Sequence, residues 1–205
     1  MNLARVEQEL KKRLDYPYIW GRKQSNSWDY DTNFIYKTYS FESLLRKTEN
    51  FDQALKDYAL NRWYNFWSAM AVEYIFASHE NVEPNKNSYD KLMDFKINNI
   101  PFDHKTSVFP KGFKKSYQYA KEHDAELISW LYENQSQQGR KHLKNRLFIV
   151  LYDSKNEHWK MKSEIMLLKK EIDTYVVNFS KDQLHIFDFG EGSVYSDILW
   201  IRKDI

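Results

Sequence analysis

The chain has 205 residues, of which 42% are hydrophobic and 17% aromatic, so it can bury one sizeable core. A formal net charge of +2 does not by itself indicate a polyanionic partner, and the absence of cysteine excludes disulfides and thiolate zinc sites. The sequence starts without an apolar signal segment, and no apolar run reaches the about 18 residues of a membrane span. We therefore expect a cytoplasmic protein that does not associate with a membrane.

Two regions of different sequence character follow one another along the chain. Residues 1–50 mix aromatic with basic and amide side chains, and Pro17 and Gly21 interrupt any long regular element, which is typical of an N-terminal arm or subdomain. Residues 51–205 are interpreted as an α/β domain that forms a single globular unit with the arm. From Phe51 to about His79, apolar residues at helical spacing predict a long, partly buried helix.

The segments after this helix predict both strands and helices. Two strands come first, and a second helix is expected from about Lys115 to Gln138, where Gly139 ends it. The run RLFIVLYD at residues 146–153 has the length and apolar continuity of a central strand that is covered on both faces. A helix near residues 160–172 and three short strands at TYVVNF, LHIFDF and VYSDILWI complete the chain. These elements predict an α/β fold in which helices flank a mixed β-sheet.

The segment DFKINNIPFDHK, residues 94–105, predicts a β-hairpin. Asn98 and Asn99 suit a two-residue turn because asparagine tolerates a positive φ. Counting outwards from this turn pairs Ile97 with Ile100, Lys96 with Pro101, Phe95 with Phe102 and Asp94 with Asp103. Opposed residues have Cβ atoms about 5 Å apart, where two carboxylates repel each other unless a cation neutralises them. We expect Mg²⁺ or Mn²⁺ between Asp94 and Asp103, since both ions accept hard oxygen ligands.

Two further charged side chains belong to this argument. Lys105 lies two residues beyond Asp103 and hence on the same strand face, where it could hold a water or a phosphate oxygen beside the ion. The alternative is a salt bridge between Lys105 and Asp103 on a sheet surface. Glu73 lies within an apolar stripe of the long helix, and a buried carboxylate needs either a cation or a partner such as Arg or Tyr. The residues alone leave both alternatives open.

A helical Glu73, Asp94 on one strand and Asp103-His104-Lys105 on the next, followed by a helix and an apolar strand, resemble the PD-(D/E)XK nuclease superfamily. That superfamily includes many restriction endonucleases and repair nucleases. The resemblance covers roughly residues 51–153, although Asp94 follows Met rather than the family's Pro, and only two of the usual three early strands are evident. It implies a restriction-endonuclease-like mixed β-sheet flanked by helices, with residues 51–205 as the nuclease-like domain.

The resemblance also implies an enzymatic activity. The protein would be a Mg²⁺-dependent endodeoxyribonuclease, with Mn²⁺ as a substitute, that hydrolyses phosphodiester bonds of DNA in restriction or defence. Asp94 and Asp103 would bind the metal, together with Glu73 and the main-chain carbonyl of His104. Lys105 would position and help activate the attacking water. The catalytic residues implied are thus Glu73, Asp94, Asp103 and Lys105.

Positively charged residues near this site are candidates for contacts with phosphates. They are Lys111, Lys114, Lys115, Arg140, Lys141, Lys144 and Arg146. We expect DNA as the partner, and a homodimer would suit double-strand cleavage. Two alternatives stay open: a nuclease-like fold that only binds nucleic acid or a protein, and an interaction protein whose acidic hairpin is incidental.

Overall fold

The computed structural model describes residues 1–20, 24, 27–85, 93–134, 144–190 and 192–203. The α-helices of these residues are α1 Leu3–Lys12, α2 Ser27–Asp31, α3 Phe41–Lys47, α4 Gln53–Ala77, α5 Tyr117–Glu122, α6 Asp124–Asn134 and α7 Ile165–Val177. The β-strands are β1 Val82–Pro84, β2 Phe95–Ile97, β3 Ile100–Val108, β4 Arg146–Asp153, β5 His185–Asp188 and β6 Ser193–Lys203. Within the described residues, no helix is long and apolar enough to cross a membrane.

The six strands form one mixed sheet in the order β1-β2-β3-β4-β6-β5. Strands β1, β2 and β3 are antiparallel neighbours, β3, β4 and β6 run parallel, and β5 pairs antiparallel with β6. Apart from Tyr152, every residue of β4 is buried. The prediction of a central strand at residues 146–153 is therefore confirmed, and so is the α/β class.

Helices α6 and α7 cover opposite faces of the sheet. Neighbouring side chains of a strand point to opposite faces. Ile198 of β6 belongs to an apolar cluster with Leu127 and Leu131 of α6. The adjacent Asp197 instead accepts a hydrogen bond from the Tyr175 hydroxyl of α7, with 2.8 Å between the oxygens. One face of the parallel strands is thus covered by α6 and the other by α7.

The chain forms two compact units, Met1–Tyr74 with Lys162–Met166 and Ile75–Met161 with Leu167–Ile205. The first unit contains the whole predicted arm of residues 1–50, and some of the arm's aromatic residues pack against α4. Trp28 meets the buried Tyr58 edge to face, with ring centroids 5.4 Å apart. The second unit contains the sheet and the predicted hairpin.

The hairpin of β2 and β3 has the predicted turn and three of the four predicted pairs. Asn98 and Asn99 have φ values of 47° and 67°, as a type I′ turn requires. The paired residues are Phe95 and Phe102, Lys96 and Pro101, and Ile97 and Ile100. Strand β1 adds a third antiparallel strand, which was not evident in the sequence because it has only 3 residues.

Two other predicted elements differ from the structure. The helix expected at residues 115–138 is divided into α5 and α6 at His123, whose φ of −132° and ψ of 50° are not helical. No glycine or proline marks this break in the sequence. The segment TYVVNF, expected to be a strand, includes the last turn of α7, where Ile172 and Val176 continue a buried stripe at helical spacing.

Candidate functional site

The predicted pair of Asp94 and Asp103 does not form, because the regular ladder of the hairpin ends before Asp94. The backbone N–H of Asp94 donates to the carbonyl oxygen of Phe102 over 2.8 Å. Phe102 is already the pairing partner of Phe95. Asp94 and Phe95 therefore both lie opposite Phe102, as in a β-bulge. The bulge turns Asp94 away from Asp103.

The carboxylate of Asp94 binds His104 instead. Its Oδ2 atom lies 2.8 Å from the backbone nitrogen of His104 and 2.8 Å from the ring Nδ1. The ring is buried and stacks on Phe95, with centroids 5.8 Å apart. Burial alone would raise the pKa of Asp94, but the hydrogen bonds and charge of His104 hold this pKa below its ordinary value. Asp94 is thus an ionised carboxylate at the edge of β3.

Asp103 lies between two cationic side chains. The Nζ atom of Lys105 donates to Oδ1 of Asp103 over 2.8 Å, and Nε of Arg146 lies 3.5 Å from Oδ2. The side chains of Asp103 and Arg146 are each 8% exposed, whereas that of Lys105 is 45% exposed. The salt bridge between Lys105 and Asp103, which the sequence left open as an alternative, is present in the structure.

The Arg146 guanidinium is held on its other side by an aromatic ring of α6. Its Cζ atom lies 4.9 Å from the ring centroid of Tyr132. Burial raises the pKa of Tyr132 to about 12, so the phenol stays neutral, and its hydroxyl donates to the carbonyl of Lys144 over 2.7 Å. Asp103 and Arg146 therefore lie on the α6 face of the sheet, and by alternation the His104 ring lies on the other face.

Glu73 lies on α4, four residues before the helix ends at Ala77. It belongs to the first unit, is half-buried, and follows the buried residues Ala71 and Val72. These surroundings agree with the apolar stripe expected from the sequence. Its role as a metal ligand stays a prediction.

The predicted phosphate-contacting residues fall into three groups. Lys111, Lys114 and Lys115 are exposed in and after a short 3₁₀-helix that follows β3. Lys144 is half-buried and Arg146 is buried against Asp103. Arg140 and Lys141 lie outside the described residues. Among the predicted phosphate-contacting residues that the structure describes, only the three lysines after β3 are exposed to solvent.

Two contacts of this site were not anticipated from the sequence. Arg146 meets Asp103 because the parallel register of β3 and β4 places these two residues side by side. Because α5 and α6 separate β3 from β4 along the chain, no local sequence pattern specifies this register. The one sequence signal is that an arginine at the start of an apolar run is unusual. The His104 ring meets Asp94 because of the bulge, which the turn residues do not encode.

No family model matches this chain, and neither a curated protein nor a solved structure matches it. The chemistry of the site must therefore be inferred from its own geometry.

Proposed function

We propose that this protein is a metal-dependent nuclease that hydrolyses phosphodiester bonds of DNA, with a restriction-endonuclease-like fold and a role in restriction or defence. The observation that carries the proposal is the group on β3: Asp103 and Lys105, in contact at 2.8 Å, with the ionised Asp94 at the edge of the same strand. The order of elements supports it. Helix α4, three antiparallel strands, a helical segment and the buried strand β4 follow one another in the order that the PD-(D/E)XK resemblance implies, although the helical segment consists of two helices, α5 and α6, rather than one.

The donor atoms fit a hard divalent cation. Carboxylate oxygens are the ligands that Mg²⁺ and Mn²⁺ prefer in proteins. In the proposal, Asp94 and Asp103 hold the ion, with the main-chain carbonyl of His104 as a further ligand. Because Asp94 contacts His104 in the free protein, binding of the ion requires the Asp94 carboxylate to turn from His104 towards Asp103. Such an ion, when bound, acts as a Lewis acid that stabilises negative charge on phosphate oxygens.

Lys105 is the residue proposed to act on the reacting atoms. Its ammonium group carries three hydrogen-bond donors, and almost half of its side chain is exposed. Once Asp103 binds a cation, Lys105 can turn from that carboxylate to the attacking water or to a phosphate oxygen. The exposed Lys111, Lys114 and Lys115 would contact neighbouring phosphates.

A specific observation favours a second candidate, a nuclease-like module that binds nucleic acid or protein without cleaving it. Asp94 already accepts hydrogen bonds from His104, and Asp103 already has two cationic partners. Both carboxylates are therefore satisfied without a metal, as in a site that has only a structural role.

The test is incubation of plasmid DNA with the purified protein in Mg²⁺, in Mn²⁺ or in EDTA. We expect cleavage that requires the metal and that Lys105→Gln reduces by about 100-fold or more, while DNA binding persists, as for the loss of an acid–base group. Lys96→Gln, a change of a partly exposed lysine on the same hairpin, is the matched control and should cleave like the wild type. DNA binding by the wild type with no cleavage in either metal would instead establish the second candidate.

A further inference from the structure

Aromatic side chains gather at the edge of the sheet where the three parallel strands end. Phe109 directly follows β3, Tyr152 is the last residue but one of β4, and Trp200 lies near the end of β6. Tyr117 of α5 stacks on Tyr152, with ring centroids 4.1 Å apart, and meets Trp200 edge to face at 5.2 Å. Phe109 is buried, whereas the other three rings are half-buried. These four residues form an aromatic edge that is partly open to solvent.

Positively charged side chains lie around this aromatic edge. The Nζ atom of Lys121 lies 5.8 Å from the ring centroid of Trp200, and the Cζ atom of Arg202 lies 5.0 Å from that of Tyr117. The segment between β3 and α5 adds the exposed Lys111, Lys114 and Lys115. The edge therefore combines aromatic rings with positive charge.

The lysines of this edge differ from other lysines of the same unit in how they are neutralised. Lys105 and Lys169 each form an ion pair with an aspartate. Within the part of the chain that the structure describes, no carboxylate pairs with the exposed Lys111, Lys114, Lys115 or Lys121. Glu122 of α5 and Glu126 of α6 instead accept hydrogen bonds from uncharged side chains. These lysines therefore favour an anionic partner.

We propose that the aromatic edge binds single-stranded nucleic acid, with phosphates on the surrounding lysines and an unpaired base stacked on Trp200. Proteins that bind single strands combine cations along the backbone with aromatic rings on which bases stack. The bases of a duplex already stack on one another, so only an unpaired base can reach such a ring. A base that stacks on Trp200 takes the place of Lys121, whose flexible stem lets the ammonium group turn to a phosphate.

This inference rests on the proposed function for the class of ligand, which is nucleic acid. It uses neither the carboxylates of Asp94 and Asp103 nor Lys105, and it requires no metal. Binding at the aromatic edge can therefore be measured in EDTA, separately from cleavage.

The first measurement is fluorescence anisotropy, in EDTA and at matched ionic strength, of a labelled oligothymidine strand and of the duplex that it forms with oligoadenosine. We expect the wild type to bind the single strand about tenfold or more tightly than the duplex, and Trp200→Leu to remove most of this difference, as for the loss of one stacked base. The matched control is Tyr195→Leu, which should bind like the wild type. Tyr195 is half-buried, begins the same strand, and has Lys181 at 4.8 Å from its ring centroid.

The second measurement tests the cations and does not alter any buried ring. Replacing Lys111 and Lys121 together with Gln should reduce the slope of log K against log salt for the single strand by about 1.4. The exposed Lys181→Gln, at the control pair, should leave this slope unchanged. Circular dichroism checks that each variant is folded, and the lysine variant tests the inference even where Trp200→Leu does not fold.

Equal affinities of the wild type for single strand and duplex would overturn the inference, and so would a folded Trp200→Leu that keeps the preference or a salt slope that the lysine variant leaves unchanged. Heparin that competes as well as oligothymidine at equal charge would also overturn it, because the edge would then bind any polyanion.

Plasmid cleavage without a preference for single strands would overturn this inference while supporting the proposed function. A preference for single strands without cleavage would support the inference and exclude the hydrolytic activity. Failure to bind either form of DNA, together with the absence of cleavage, would overturn both.

Discussion

Asp94 shows how a single backbone irregularity changes the expected behaviour of a charged residue. In a regular hairpin it would face Asp103, and its charge would destabilise the protein without a metal. In the structure it accepts two hydrogen bonds from His104, one from the backbone and one from the ring. The same carboxylate thereby becomes a stabilising group.

We expect Asp94→Asn to lower the free energy of unfolding in EDTA by about 1–2 kcal/mol, since it weakens charge-assisted hydrogen bonds. The folded-state pKa of Asp94 is lower than its ordinary value. Its contribution is therefore present above the unfolded pKa of about 3.9 and is lost as the pH falls through the folded pKa. Thermal unfolding of both proteins in EDTA, at neutral and at acid pH, measures this.

The exposed Asp31→Asn serves as the control for this experiment, and its unfolding should stay close to that of the wild type. A higher melting temperature of Asp94→Asn in EDTA would show that the carboxylates repel each other, as the regular hairpin predicts.

At the scale of secondary-structure elements, the turn of the hairpin is the feature with the clearest local cause. Asn98 and Asn99 both have positive φ values, which glycine tolerates without strain and β-branched residues do not. We expect Asn99→Gly to leave stability unchanged or to raise it by up to about 1 kcal/mol, and Asn99→Val to lower it by about 1–2 kcal/mol. Urea unfolding of the two variants beside the wild type measures the difference, and equal stabilities would show that the turn adopts another conformation.

The segment after β3 is the part of the chain that we expect to contact DNA phosphates. Lys114 and Lys115 are both exposed there. If they contact phosphates, replacing both with Ala should weaken binding for all sequences and reduce the slope of log K against log salt by about 1.8. Anisotropy titrations over a range of salt concentrations provide this slope. A slope equal to that of the wild type would place these lysines away from the DNA.

At the scale of the whole molecule, a buried polar network joins three elements of the second unit. Asp197 of β6 accepts hydrogen bonds from Tyr175 of α7 over 2.8 Å and from Gln183 of a 3₁₀-helix over 2.9 Å. Burial raises the pKa of Asp197 even though these hydrogen bonds act in the opposite direction. The ionised form is therefore less favourable in the folded protein than in the unfolded chain.

This raised pKa makes Asp197 lower the stability as the pH rises, which is opposite to the effect of Asp94. Between the unfolded pKa and the folded pKa, the native state binds more protons, so the free energy of unfolding falls with increasing pH. We expect Asp197→Asn to flatten that fall while preserving most of the network, because an amide can accept and donate. Urea unfolding from about pH 4 to about pH 8 checks this, and parallel profiles of the two proteins would contradict it.

Sequence patterns that extend over a few residues were sufficient to predict much of the architecture. Helical spacing predicted α4, an unbroken apolar run predicted the central strand β4, and the two asparagines predicted the turn and the register of the hairpin. Turn chemistry and hydrophobic periodicity are local properties, so they can be recognised before the fold is known.

The tertiary structure alone decided which charges meet. The bulge assigned Asp94 to His104, and the parallel register of β3 and β4 assigned Arg146 to Asp103. It also decided that TYVVNF continues α7, where burial of one face outweighs the strand preference of its β-branched residues. These outcomes depend on contacts between residues far apart in the chain, and no local pattern specifies which distant residue will be the partner.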